Sequence, residues 1–377
     1  MSEISINIFG DFVPIERGVL EVKNKTAIDQ SILEIICKSD LNILNLECPI
    51  FDGKLSPINK IGRTLFAPTY TLPYLRDVGF ELVTLANNHI RDYGDNGVSS
   101  TILACENNHV QYIGAGNNID EAQNIKIIAC KGKKIAFINV CENEFSIAGA
   151  DFAGACPLDL PTNFNQIRYG KEQADYVIVI FHGGIEFYQL PSPRMKKICR
   201  FFVTAGADAV ICHHPHCFSG YEIYQNVPIF YSLGNFYFDN NKRKNGSWNE
   251  GFFVQLFLNE SLSFTITPYI QCNDKATVAL MNQQEIKNFE KAITKLNQII
   301  LNDKKLEEEY NKFVNSRYLH YLSSTITFGN LIQGLVRKNL FPLLLSKKCA
   351  LFLLNNIRCE SHRDILIDSL CKYTKVK

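Results

Sequence analysis

The chain has 377 residues, a formal net charge of +1, 46% hydrophobic residues and 20% charged residues. That balance supports a sizeable core and excludes disorder over most of the length. It gives no global electrostatic case for nucleic acid as a partner. Thirteen cysteines are scattered without a C-x-x-C pair, which argues against a disulfide framework or a zinc knuckle. Most of them read as small buried residues in a reducing compartment. The opening "MSEISINIFGDF" lacks a basic segment followed by an apolar core, and no run is long enough to span a bilayer. The expectation is a cytoplasmic protein.

In chain order, short apolar runs alternate with helix-like stretches, and no internal repeat is visible. The runs are 4–9, 41–46, 81–86, 134–140, 175–181, 207–212 and 227–233. Runs this rich in Ile, Val and Phe suit strands covered on both faces. The spacing predicts helices over about 26–38, 68–78, 97–108, 165–173 and 193–204. The pattern is that of an α/β fold with covered sheets. After about residue 273 the character changes to polar helical periodicity, then to Leu-rich stretches with interspersed Lys and Arg. The expected division is a catalytic domain over 1–273 and a helical extension over 274–377. The Leu stripes suit packing against the main domain, or peripheral contact with a membrane or partner.

Polar residues cluster just past the strand candidates. Asp11 follows the first and Glu47 the second. Asn87, Asn88 and His89 follow the third, in "ANNHIRDYG". His182 follows 175–181, and His213, His214 and His216 follow 207–212, in "ICHHPHCFSG". Asn235 follows 227–233. Sites in open α/β folds form beyond the carboxyl ends of strands. Taken singly, Asp11 and Glu47 suit helix caps and "ANNH" suits a turn. Together, carboxylate, Asn and His donors point to a divalent metal. Pro215 disfavours helical backbone at His214. An extended H-P-H would aim His214 and His216 to one face, with His213 to the other.

Seven pieces, among them "GDFVP", "LNLECPI", "LANNHIRDYG", "AGADAVICHHPH" and "IFYSLGNFYFD", carry a resemblance over roughly residues 5–258. In them the chain resembles the poly-γ-glutamate capsule-biosynthesis (CapA-type) family, of the calcineurin-like metallophosphoesterase superfamily. The resemblance implies a four-layer, two-sheet α/β sandwich flanked by helices. It implies Asp11, Glu47, Asn88, His182, His214 and His216 as metal ligands, with Asn87 competing for the Asn role, and His89 as the catalytic histidine. One expected histidine is replaced by Val13, so one or two ions are expected, with Mn2+, Zn2+ or Fe2+ suiting the donors. Cys212 stands where a glycine is usual.

A divalent ion would make a bound water more acidic and polarise a phosphoryl or carbonyl oxygen. His89 would donate a proton to the leaving group, oriented by Asp92. Glu186 is expected to support His182, with His213 as a further supporting residue. Lys60, Arg63, Arg243 and Asn235 are the substrate-binding candidates, suited to an anionic small molecule, peptide or glycan. The leading expectation is a metal-dependent hydrolase of phosphoester or amide bonds in capsule or surface-polymer metabolism. The alternatives are a metal-dependent peptide epimerase and a non-enzymatic polymer-biosynthesis component with a structural metal.

Overall fold

In the computed structural model, which describes residues 3–325, 329–358 and 360–375, the apolar runs become strands of two facing sheets. The larger sheet runs Val278–Leu280, Leu262–Gln271, Glu250–Leu258, Ile4–Val13, Leu41–Leu46, Leu82–Thr84 and Gln111–Ile113 from edge to edge. A short strand, Asn235–Phe238, pairs in parallel with the end of Ile4–Val13. The smaller sheet runs Tyr221–Tyr224, Val227–Phe230, Ala209–His213, Tyr176–His182, Lys133–Cys141 and Lys126–Cys130. Ile6, Ile8 and Ile43 of one sheet pack against Phe137, Ile178, Ile180 and Ile211 of the other. Each fully buried side chain of this kind contributes about 2 kcal/mol.

Helices cover the outer faces. Gln30–Ile36 and Gly94–Asn107 lie on the larger sheet, and Leu160–Gln173 and Pro193–Ala205 on the smaller. The result is the expected α/β sandwich with helices outside both sheets. Local chemistry sets the helix ends. Ser192 accepts from the Met195 amide, Pro193 occupies the first turn, and the helix stops at Gly206 with φ of 126°. An unpredicted helix, Gly18–Asn24, precedes the one predicted over 26–38, which is shorter, Gln30–Ile36. Lys25 at φ of 61° ends the first, and Asp29 caps the second through the Ser31 amide.

Sequence reading missed the Glu250–Leu258 and Leu262–Gln271 hairpin. Its signal was the strict apolar–polar alternation of "LSFTIT". The chain divides into two compact units between Leu306 and Glu307. The Val278–Leu280 strand and the Gln283–Ile300 helix belong to the first unit, beyond the composition change near residue 273. That helix starts with a capping box of Asn282 and Glu285 and buries Phe289, Ile293 and Ile300. The second unit holds the helices Asn330–Arg337, Lys347–Arg358 and Glu360–Thr374. Met1, Ser2 and residues 326–328, 359, 376 and 377 of the expected extension lie outside the described residues.

One close approach shapes the end of the central strand. Register shifts on both sides of Asp11, and the Asp11 amide reaches the Gly234 carbonyl at 3.3 Å. A Cβ on Gly10 would stand 1.9 Å from that carbonyl oxygen. "GDF" and "LGNF" therefore touch backbone to backbone, and only glycine fits. Gly10→Ala is expected to lower unfolding free energy by about 3 kcal/mol, measured by denaturant titration. Stability equal to the parent chain would contradict this contact.

Candidate metal centre

The carboxyl ends of parallel strands from both sheets meet at one place. The larger sheet brings Asp11, Glu47, Asn88 and His89, and the smaller brings His182, His214 and His216. One ligand atom each of Glu47, His214 and His216 lies within 4.8 Å of the others. His182 Nε2 stands 3.4 Å from Glu47 Oε1, 3.1 Å from His214 Nδ1 and 3.1 Å from Asn88 Oδ1. His216 Nε2 stands 3.7 Å from Glu47 Oε1. Asp11 flanks the cluster, 3.5 Å from His216 Nδ1 and 3.9 Å from His182 Nδ1. All six residues are buried.

The charges in this cluster are unbalanced in an informative way. Neither oxygen of Glu47 has a hydrogen-bond partner, although both are buried. Burial, then the nearby Asp11, raises its pKa well above the ordinary carboxylate value. Burial pushes His214 down to about 3 and His182 well below its usual value, so both imidazoles are neutral donors. Burial also opposes ionisation of Asp11, but the hydrogen bond with His216 and the neighbouring imidazoles outweigh it and hold the carboxyl low. An orphaned buried carboxylate among neutral imidazoles is a donor set that a divalent cation satisfies. The residues present therefore fit a metal ion.

Asn88, the first choice for the Asn role, faces the cluster and Asn87 does not, while several other expectations change. Asn87 Nδ2 donates to the Leu46 carbonyl at 2.9 Å, and its Oδ1 accepts from the His89 amide. His214 and His216 do not converge through an extended strand: their φ angles are 98° and 56°. The strand ends at His213, and left-handed backbone turns both rings inward. Such conformations cost about 1–3 kcal/mol each and persist where the surroundings hold them. Here the His214 amide reaches Asp11 Oδ2 at 3.4 Å. His213 points away, its Nε2 donating to the Phe9 carbonyl at 3.0 Å.

Glu186 does not brace His182. It is exposed and lines the pocket mouth. Asn45 takes that role, its Nδ2 lying 2.7 Å from Asp11 Oδ1 and 3.2 Å from His182 Nδ1. Sequence reasoning missed Asn45; its signal was the second of two amides in the otherwise apolar "LNILNL", two residues before Glu47. Asn235 is not a substrate contact either. It is fully buried, its Oδ1 accepts from His216 Nδ1 at 2.9 Å, and its Nδ2 donates to the His216 and Trp248 carbonyls. This leaves His216 Nε2 to the cluster. Cys212 is buried against Cys199, sulfur to sulfur 3.6 Å, and Cys217 is also buried.

Beside the cluster stands a second constellation. His89 Nδ1 lies 2.6 Å from Asp92 Oδ2, which also accepts from the Leu65 amide at 2.7 Å. Asp92 Oδ1 accepts from Lys60 Nζ at 2.5 Å. Lys60 is thus committed to Asp92 and to the Asn88 carbonyl, with its side chain 3% exposed. Burial lowers the His89 pKa, against the opposing pull of Asp92.

Comparison with known proteins follows the same residues. A family model described as "Bacterial capsule synthesis protein PGA_cap" matches residues 5–240. The chain belongs to this family. It is 32% identical over 250 residues to "Capsule biosynthesis protein CapA" of Bacillus anthracis, covering 63% of this chain and 60% of that one. It is 31% identical over 228 residues to "PGA biosynthesis protein CapA" of Bacillus subtilis, covering 59% of each. The chain thus spans about three-fifths of the length of the curated relatives it matches. Among solved structures, a novel phosphatase from Mycoplasma pneumoniae is similar over 73% of this chain and 96% of that one, with a TM-score of 0.48 and 15% identity.

In this PGA_cap-family chain the centre opens into a cavity of about 390 Å³ lined by Asn88, His89 and His216. Arg63 and Arg243 stand on its wall. The Arg243 guanidinium lies 4.0 Å from the Phe187 ring centroid and 4.9 Å from that of Trp248. Arg63 sits 3.7 Å from Glu16. Glu144 and Glu186 line the same cavity. A larger cleft, about 790 Å³ between Tyr112 and Lys126, holds none of the predicted site residues. Asn235→Ala removes the His216 brace. It is expected to weaken divalent-cation binding about 10- to 100-fold, read by competition with a fluorescent chelator while circular dichroism stays unchanged. Undiminished affinity would show that Asn235 does not orient His216.

Proposed function

We propose that the chain is a divalent-metal-dependent hydrolase of phosphoester or amide bonds, acting on an anionic substrate in capsule or other surface-polymer biosynthesis. The biological setting rests on family membership and on the relatives named for capsule and PGA biosynthesis. The chemistry rests on one observation above the others: His89, braced by Asp92, lines an open cavity beside the unpartnered Glu47 and three imidazoles.

Glu47, His182, His214 and His216 would hold the cation, with Asp11 and Asn88 beside them. When bound, it supplies Lewis acidity toward a substrate oxygen and toward water. Mn2+, Zn2+ and Fe2+ suit this mixture of imidazole and carboxylate. With Nδ1 against Asp92, His89 would pass a proton from Nε2 to the leaving group as the imidazolium, the form that Asp92 stabilises and burial opposes. Asp92 fixes the tautomer and ring orientation. Lys60 balances the Asp92 charge, which limits how strongly Asp92 favours the imidazolium. Arg63 and Arg243 attract the anionic part of the substrate. A purely structural ion is the weaker reading, because its donors would be closed off, whereas Asn88 and His216 line an open cavity.

The test is turnover by the full chain, loaded with Mn2+ or Zn2+, on phosphoesters and γ-glutamyl peptides. His89→Ala is expected to lower kcat/KM about 100- to 10,000-fold with the metal content unchanged. No metal-dependent cleavage of either class would sink the proposal. Deuterium uptake at Cα without cleavage would replace hydrolysis by epimerisation.

A further inference from the structure

The second compact unit contains a surface that the proposed chemistry does not use. Residues 329–358 carry Arg337, Lys338, Lys347, Lys348 and Arg358, and no Asp or Glu. They form the helices Asn330–Arg337 and Lys347–Arg358 and the segment between them. Among them Leu331 is 79% exposed, Leu340 70%, Leu351 66%, Phe352 67% and Ile357 59%. Single exposed apolar side chains are ordinary, but a continuous set of large ones marks an interaction surface.

The pattern within Lys347–Arg358 says how the surface is used. Ala350, Leu353, Leu354 and Ile357 recur at i, i+3, i+4 and i+7 and share one face. Lys348 and Asn355 fall on the opposite side, with Phe352 among them, while Lys347 and Arg358 flank the apolar face beside Leu351. The helix buries none of its side chains. A basic, amphipathic helix of this kind lies in a membrane interface rather than through it. Consistent with that, no described helix is long and apolar enough to cross a membrane.

Charge selects among possible occupants. A second copy of the chain would bring five more cations against the first five. A nucleic acid would match the charge and leave the leucines and Phe352 in water. An anionic bilayer satisfies both parts: apolar side chains enter the acyl boundary, and Lys and Arg stay among the headgroups. We propose that residues 329–358 dock this protein on the surface of an anionic lipid bilayer. This surface is independent of the metal centre, so either reading can fail without the other.

The experiment is co-sedimentation of the full chain with vesicles of phosphatidylglycerol and phosphatidylcholine in equal parts, against vesicles of phosphatidylcholine alone. Binding is expected to the anionic vesicles and to weaken as salt rises. The pair Lys347→Glu and Lys348→Glu is expected to weaken it more than about tenfold, as is Ile357→Ser. These positions are exposed, and circular dichroism checks that the helices persist. Failure of the parent chain to sediment with anionic vesicles would overturn the proposal. So would equal binding to both vesicle types, or self-association in sedimentation velocity with no vesicle binding.

Discussion

The site depends on one amide. Asn45 Nδ2 lies 2.7 Å from Asp11 Oδ1 and 3.2 Å from His182 Nδ1. Its Oδ1 accepts from Thr84 Oγ1 at 3.2 Å and lies 3.4 Å from Asn87 Nδ2. A single fully buried side chain therefore ties three strand ends of the larger sheet to the last residue of a strand in the smaller one. An amide suits this post because it donates and accepts without adding charge to a site already holding two carboxyls. Asn139 makes a parallel link, accepting from the Ala86 amide at 2.7 Å and donating to the Ile180 carbonyl at 3.1 Å. The loop that carries Asn88 and His89 is thus held in register with the strand that carries His182. Two sheets that meet largely through apolar side chains are indexed to each other by two asparagines, together with the His213 bond to the Phe9 carbonyl.

Given that frame, the two inward carboxyls part ways. Asp11 receives the Asn45 amide and lies near the His214 backbone N–H and the His216 ring. Glu47 receives nothing. The contrast follows from position: Asp11 lies within a strand beside backbone donors, whereas Glu47 sits just past its strand, facing imidazoles. A protein that only needed to be stable would not keep Glu47 in this place, since a buried unpartnered carboxyl costs several kcal/mol. The left-handed backbone at His214 and His216 is a cost of the same kind. Both costs fall on residues facing a single point, which is how a cation site looks when its donors are held ready.

Much of this was legible in sequence. Seven of the strands showed as apolar runs, and the donors showed as a coincidence of polar residues at five strand ends. What stayed hidden were the supports. Asn45 lies inside a strand, where an amide has no spacing signature. Lys60 reads as a substrate-binding cation until the loop carrying Leu65 folds onto Asp92. Asn235 follows a glycine in a motif shared with its neighbours, and only its buried contacts separate a brace from a substrate contact. The H-P-H turn was misread for a physical reason: a pre-proline preference for extended backbone is a local bias, and the pull of Asp11 on the His214 amide runs against it. Donor identity is a property of residue type, whereas support is a property of packing.

The aromatic wall joins the cation site to the substrate side. Trp248 lies 5.3 Å from the His216 ring, centroid to centroid, and its Nε1 donates to the Phe238 carbonyl at 3.0 Å. Its carbonyl accepts from Asn235, the residue that orients His216. The same indole, with Phe187, stacks against Arg243. A guanidinium stacked in this way keeps its N–H edge free for a planar anion. Trp248 therefore screens a buried imidazole from water on one side and presents a cation to solvent on the other. Moving the "NNKRKNGSWNE" loop would disturb anion binding and the orientation of His216 together. On the proposed function, an anion met by Arg243 would sit on the indole whose backbone carbonyl helps hold Asn235, the brace of His216.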